Sequence, residues 1–359
     1  MKIQSIDVWI KELGNTRPYT IAFKTVDNVS SIFVKINLEN GLFGLGAGNP
    51  SEQVVGESLS DSSQALSQEN LDFLVGRDIR DFYALLKEVQ ANFPKTPAAR
   101  AAVDIALHDV FSKWLDVPLA RFLGQKIKGL ATSVTIGIKN VAETLEEAQE
   151  YYDMGFKILK VKTGNDVEED IERMAKLREK FGQHFKIRVD ANQGYDREKT
   201  IRFYEKTKMH AIELIEQPTP SGDIALLKGL PDPIKDLIAA DECLKSPANA
   251  FALAAPPRAS GIFNIKLMKS GGVYPGLQIA QIAEASGIDL MWGCNDESAI
   301  SITAALHAAL SSTRTKYIDL DGSLDLVEDV VSGGFLLKDG YMEICDKAGL
   351  GVELLPVSS

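Results

Sequence analysis

Apolar and polar positions alternate with a period of two over "IQSIDVWI" near the N-terminus and again over "SIFVKINLENGLFGLGAG". This predicts strands, the second pair turning at Glu39-Asn40-Gly41. The pattern then lengthens: "AARAAVDIALHDVFSKWL" carries apolar residues at helical spacing and predicts a buried amphipathic helix. After a polar linker, "GQKIKG", a rhythm begins. The β-rich runs "SVTIGI", "ILKVK", "KIRVD", "IELIE", "LIAAD", "IFNIK", "LMWGC" and "YIDLD" follow one another with helix-like segments between them. A polar residue near the end of each run, Thr135, Lys162, Asp190, Glu216, Asp241, Lys266, Cys294 and Asp319, recurs at steps of 27, 28, 26, 25, 25, 28 and 25 residues. That step suits one βα unit, and eight strands close a TIM-type barrel.

No clear helix follows the eighth run. The expected fold class is therefore α/β: a (β/α)7β TIM-type barrel over residues 126–324 with an α+β N-terminal capping domain over 1–125. The tail, 325–359, is expected to complete the capping domain, with "GFLLKDGYMEIC" returning to pack on it. An open doubly wound sheet is the competing architecture, disfavoured by the lack of a glycine-rich phosphate fingerprint and by eight equal units.

Composition narrows the function more than the fold. A formal charge of −11 on 359 residues, with a pI near 5.0, disfavours nucleic acid or an anionic membrane surface as a partner. The N-terminal "MKIQSIDVWIKEL" lacks the apolar core of a signal peptide, and no run reaches bilayer length. Three cysteines, Cys243, Cys294 and Cys345, show no paired spacing. A reducing, cytoplasmic compartment without a zinc site is expected.

The chemistry lies at the predicted strand ends, the face on which such barrels carry their active sites. Asp190 in "RVDANQG", Glu216 in "LIEQP" and Asp241 in "AADE" end three adjacent strands. Each alone reads as a helix cap or ion-pair partner, but three converging carboxylates repel unless a cation intervenes. Oxygen ligands alone suit a hard ion, and Mg2+ fits best. Lys162 and Lys266 end strands four apart in a ring of eight, so they face each other across the mouth. Two amines on opposite sides of one substrate carbon can remove a proton from one face and return it to the other. Lys160 shares the inward face of Lys162, since strand side chains alternate. A substrate carboxylate contact, or like-charge pressure on Lys162, are its two expected tasks. In "YIDLDG", Asp319 and Asp321 share one face, with no basic residue adjacent in sequence. A substrate ammonium group would match them, and an acidic turn before Gly322 is the lesser alternative from local sequence.

Taken together, "KVK", "DANQG", "EQP", "ADE", "NIKLMKSGG" and "DLD" resemble the enolase superfamily, in its muconate-lactonizing-enzyme subgroup, and the strand-8 aspartates resemble its dipeptide epimerases in particular. The resemblance runs the whole chain. It implies a Mg2+-dependent isomerase that inverts the α-carbon of the C-terminal residue of Ala-Xxx dipeptides through an enediolate. It also implies Lys162 and Lys266 as the acid/base pair, Asp190, Glu216 and Asp241 as ligands of one Mg2+ per subunit, and Asp319 and Asp321 as the ammonium site. Thr135, Lys160, Cys294 and Asp296 are expected to touch substrate by position. A homo-oligomer is the expected form. Two departures bear on specificity. Lys24 in "AFKTV" stands where members selective for Ala-Glu carry arginine, and Ala47 in "GLGAG" stands where many relatives have glutamate. Lysine does not replace a bidentate guanidinium, so small or apolar side chains at the inverted position become alternatives to glutamate. Competing readings are another enzyme of the subgroup (N-acylamino acid racemase, o-succinylbenzoate synthase or cycloisomerase), a Schiff-base aldolase using Lys266, and a non-catalytic dipeptide-binding protein.

Overall fold

Eight parallel strands follow one another around a barrel in chain order: Val134–Ile136, Ile158–Lys162, Lys186–Asp190, Ile212–Glu216, Ile238–Ala240, Ile262–Lys266, Asp289–Gly293 and Thr315–Asp319. We number these barrel strands 1 to 8. The ring closes where Thr132 bridges Ile318 in parallel and the Ser133 N–H donates to the Ile318 carbonyl. This computed structural model describes residues 1–16 and 28–356 in full; between them it describes only the backbone strands 19–21 and 24–26.

Pleating decides what each strand residue meets. On strand 2, Leu159 and Val161 join the hydrophobic core, while Lys160 and Lys162 line the cavity at the barrel mouth. Helices return the chain between strands, several started by a side-chain cap. Asn140 forms a capping box with Glu143 at the helix Val141–Asp153, and Asp166 caps Val167–Phe181. Among the described residues no helix follows strand 8, as the sequence predicts.

The N-terminal sheet pairs Ile3–Glu12, Ser30–Leu38 and Phe43–Gly48 antiparallel, turning at Glu39-Asn40-Gly41. Against it lies the helix Pro97–Trp114. The alternation in "FGLGAG" explains how close the two come: a Cβ at Gly44, Gly46 or Gly48 would overlap the carbonyls of Ala106, Ala102 and Ala98. Small residues on both surfaces let backbone meet backbone. On this same face of the sheet, Ile36, Val34 and Ile32 pair in register with Gly44, Gly46 and Gly48, and they bury with Ile3, Leu85 and Leu86 in a second core that also takes in Ala102, Val103 and Ala106 of the helix.

The tail divides its contacts. Residues 325 and 326 pair with Thr16 and Asn15, and Glu328 meets Lys11 at 2.7 Å, all on the N-terminal domain. The hairpin Phe335–Lys338 and Tyr341–Ile344 instead adds to Gly129–Ala131, just ahead of strand 1. The "GFLLKDGYMEIC" segment thus pairs beside the barrel, where the sequence suggests packing on the N-terminal domain. A later turn, Gly349-Leu350, reaches Asp109 and Leu119 on that domain. Among the described residues, no helix is long and apolar enough to cross a membrane.

One interdomain contact carries a pH prediction. His307, fully buried on the helix Ala299–Ala309, accepts at Nδ1 from the Ala120 N–H at 2.9 Å. Burial pushes its pKa down to about 3. The unfolded chain takes up a proton below about pH 6.5 that the folded chain refuses, so stability falls as pH drops from there toward 3. At pH 5 the loss from this group is about 2 kcal/mol. Urea midpoints at pH 7 and pH 5 should diverge more for the wild type than for His307→Asn. Equal slopes would show that His307 is not buried neutral.

Candidate active site

The strand ends open into a cavity of about 700 Å3. Thr135, Lys160, Lys162, Asp241, Lys266 and Cys294 line it, with Asp296, Asp319 and Asp321 alongside. Asp190 and Glu216 are fully buried at the ends of strands 3 and 4. The structure thus brings together every site residue expected from sequence except Lys24, whose side chain lies outside the described residues.

Strand order places Lys162 and Lys266 on opposite sides of the ring. Each is buried and paired with an acid: Lys162 Nζ donates to Asp190 Oδ2 at 2.6 Å, and Lys266 Nζ lies 3.0 Å from Asp241 Oδ2. Burial opposes the charged form of Lys266, but Asp241, Glu216 and Asp190 together outweigh it and raise the pKa. Asp241 is driven the other way: burial would raise it, and Lys266 and Lys269 hold it below the usual carboxylate range. For Asp190, Lys162 and Lys160 overcome burial and bring the pKa down to about 2.

Lys160 occupies the centre of the acids. Its Nζ lies 2.7 Å from Asp319 Oδ2, 2.9 Å from Glu216 Oε2 and 3.2 Å from Asp190 Oδ2. Burial disfavours its charge, yet Asp319, Glu216 and Asp190 together lift its pKa well above the ordinary lysine value. Asp319 therefore has a cationic partner, contrary to the reading from its sequence neighbours, and also accepts from Ser133 Oγ at 2.6 Å. Asp321 differs. Its Oδ2 accepts from the Thr135 N–H at 2.8 Å, while burial and then the Asp319 charge push its pKa up to about 7.

Among the described residues, no three acidic, histidine or cysteine side chains are placed so as to hold a metal ion. Ammonium groups stand between the carboxylates instead. The donor set nonetheless fits a hard cation. Burial, then Asp190 beside it, pushes Glu216 up to about 8. Its Oε1 accepts from Asn264 Nδ2 at 2.8 Å; Oε2, although near Lys160 Nζ, receives no well-directed hydrogen bond. A buried carboxylate oxygen without a donor is costly and suits an oxygen-seeking ion.

Sequence reading missed several members. Lys269, three residues beyond Lys266 on the short helix Leu267–Ser270, is buried and pairs with Asp241. Arg188, two residues before Asp190, donates to the Ile318 carbonyl at 2.6 Å and pairs with Glu213. Its inward direction follows from the same period of two that marks Lys160 and Lys162. Asn192 and Glu242, 3.3 Å apart, add polar groups to the cavity wall. Burial, then Asp241, lifts Glu242 to about 7.

Opposed lysines and buried carboxylates at the mouth of an eight-stranded parallel barrel define the class of fold and site. Residues 5–124 match the family model for the mandelate racemase/muconate lactonizing enzyme N-terminal domain, and residues 143–357 match the enolase C-terminal domain-like model. The chain belongs to the mandelate racemase/muconate lactonizing enzyme family of the enolase superfamily. It is 50% identical to the L-Lys-D/L-Arg epimerase of Desulforapulum autotrophicum over 98% of this chain and 99% of that protein. The dipeptide epimerase of Methylococcus capsulatus, solved with Mg and L-Arg-D-Lys, matches at a TM-score of 0.97 and 50% identity, covering 98% of this chain and 99% of that one. The L-Ala-D/L-Glu epimerase of Bacillus subtilis, in a substrate-liganded structure, matches at 0.93 and 32% identity, over 98% and 99% of the two chains.

Proposed function

We propose that this protein is a Mg2+-dependent dipeptide epimerase that inverts the α-carbon of the C-terminal residue and favours basic side chains. The opposition of Lys162 and Lys266 across one cavity carries the reading. One lysine, as the amine, takes the α-proton; the electron pair left on carbon delocalises into the adjacent carboxylate. The other, as the ammonium, donates its proton to the opposite face. Asp190, Glu216 and Asp241 would hold Mg2+, which when bound supplies positive charge for the carboxylate that accepts this electron pair. Residues 1–125 cap the barrel mouth in this account, and residues 126–324 carry the chemistry.

The charge of the lining supports basic substrates. Among the described residues it has twelve acids against four lysines, and Glu143, Glu146, Glu147 and Glu150 form one wall from the helix Val141–Asp153. Such a field attracts cations and penalises a glutamate side chain. Small or apolar side chains, which Lys24 and Ala47 leave open, would gain nothing from it. The relatives at 50% and 51% identity are named for Lys and Arg.

A dipeptide panel incubated with Mg2+ in D2O tests the reading by mass gain. Lys- and Arg-containing dipeptides should exchange fastest and Ala-Glu slowest; the reverse order would contradict it. Asp321 is assigned to the substrate's N-terminal ammonium. Asp321→Asn should cost about 2 kcal/mol or more for free-amine dipeptides, an approximately 30-fold loss in kcat/KM, and much less for N-acetylated ones. Equal losses for both would remove the assignment.

A further inference from the structure

Each opposed lysine ends a strand whose next few residues are held by a separate buried polar clamp, and the two clamps come from different parts of the molecule. Beyond Lys266, the chain runs through Leu267–Ser270 and two glycines into the helix Val273–Ala285. The capping domain grips this turn. Asp104 Oδ1, fully buried on the helix Pro97–Trp114, accepts from the Val273 N–H at 2.6 Å and lies 3.1 Å from His108 Nδ1. Arg100 Nη2 donates to the Ser270 carbonyl at 3.1 Å, and Gln90 Nε2 to the Gly271 carbonyl at 3.4 Å. Gly271 and Gly272 adopt φ of 86° and 116°, and a Cβ on either would overlap Arg100 or Asp104. Ser270 Oγ donates back to the Lys266 carbonyl at 3.2 Å, which links the gripped turn to the strand end.

Beyond Lys162 the clamp belongs to the barrel itself. Arg173 Nη1, on the helix Val167–Phe181, donates to the Lys162 carbonyl at 3.0 Å and pairs with Asp170. Asp170 Oδ2 accepts from the Gly164 N–H at 3.0 Å and from Tyr195 Oη at 2.5 Å. Asp170, Arg173 and Tyr195 are all at most 2% exposed. Burial this complete, shared by Asp104 in the first clamp, makes each aspartate's contacts exacting, because a lost partner leaves a charge or dipole uncompensated.

We infer that Asp104 and Asp170 are positioning residues for the two lysines separately, Asp104 aligning Lys266 from the capping domain and Asp170 aligning Lys162 from within the barrel. Neither need touch substrate; each fixes the backbone from which one ammonium is aimed. A lysine displaced by a fraction of an ångström loses its alignment with one face of the α-carbon and leaves the other lysine's geometry intact. Disturbing one clamp should therefore slow proton removal from one antipode selectively, a signature that general loosening of the fold does not produce. The inference rests on the two-base reading proposed above.

The test is NMR of α-proton exchange in D2O with Mg2+, using L-Lys-L-Arg and L-Lys-D-Arg separately, for the wild type, Asp104→Asn and Asp170→Asn. Gln90→Ala and Tyr195→Phe, milder changes to the same clamps, stand in should either Asn variant fail to fold. Wild type should exchange both dipeptides. The Asp104 and Gln90 variants should slow one antipode about tenfold relative to the other, and the Asp170 and Tyr195 variants should skew the ratio in the opposite sense. Ratios unchanged from wild type, or skewed the same way by both clamps, would overturn the inference while leaving the two-base reading intact. No exchange of either dipeptide by the wild type would overturn both.

Discussion

Lys162→Ala and Lys266→Ala should each lower the rate of epimerisation about 10³-fold or more, because inversion needs a base on one face and an acid on the other. The two variants should not be equally dead in every assay. Each retains one lysine, so each should still exchange the α-proton of one antipode with D2O, and their preferences should be opposite. Lys160→Ala belongs to a different class. Its ammonium meets Asp190, Glu216 and Asp319 at the centre of the acids, and its loss would leave these carboxylates with less compensation on behalf of both faces. Both directions should fall together. One-sided exchange by Lys160→Ala, or wild-type inversion by Lys162→Ala, would mean that the inward lysines of strand 2 have each other's role.

Thorough chelation, and equally Glu216→Gln, should remove turnover while leaving the fold in place. Of the three expected metal ligands, Glu216 is least provided for by the protein's own cations: burial and Asp190 raise it to about 8, and its Oε2 lacks a directed donor. An amide there keeps the size and the contact with Asn264 but withdraws the charge that a Mg2+ ion demands. Activity should disappear at ambient Mg2+, with far-UV circular dichroism unchanged. Full turnover after chelation, or by Glu216→Gln without added metal, would contradict the assignment of the acids. Calorimetric titration of Mg2+ into the variant gives an independent reading, since lost affinity would appear there whatever the substrate.

Much of this site could be read from the chain because its rules are local. A step of 25 to 28 residues marks successive strand ends, and a period of two sends Lys160 inward with Lys162. The strand ends Lys162, Asp190, Glu216 and Lys266 follow from those two regularities alone. What the chain hides is partnership at a distance. Lys160 and Asp319 are separated by 159 positions, and nothing beside "YIDLD" announces the lysine that neutralises its first aspartate. Asp104 caps a helix 169 residues away, so within its own helix it reads as an ordinary polar interruption of an apolar face. Lys269 could have been suspected from its i+3 spacing to Lys266, had a short helix after strand 6 been expected. The hairpin of the tail pairs with Gly129–Ala131 because an edge was open there, a fact of assembly that no window of sequence contains.

The central claim, two-base inversion of one α-carbon in a basic dipeptide, is tested most directly by incubating L-Lys-L-Arg with the wild-type protein and Mg2+ in D2O and following both α-protons by NMR. The account predicts loss of the C-terminal α-proton signal alone, together with growth of L-Lys-D-Arg carrying deuterium at that carbon. An unchanged dipeptide, or exchange at the N-terminal α-carbon, would contradict it.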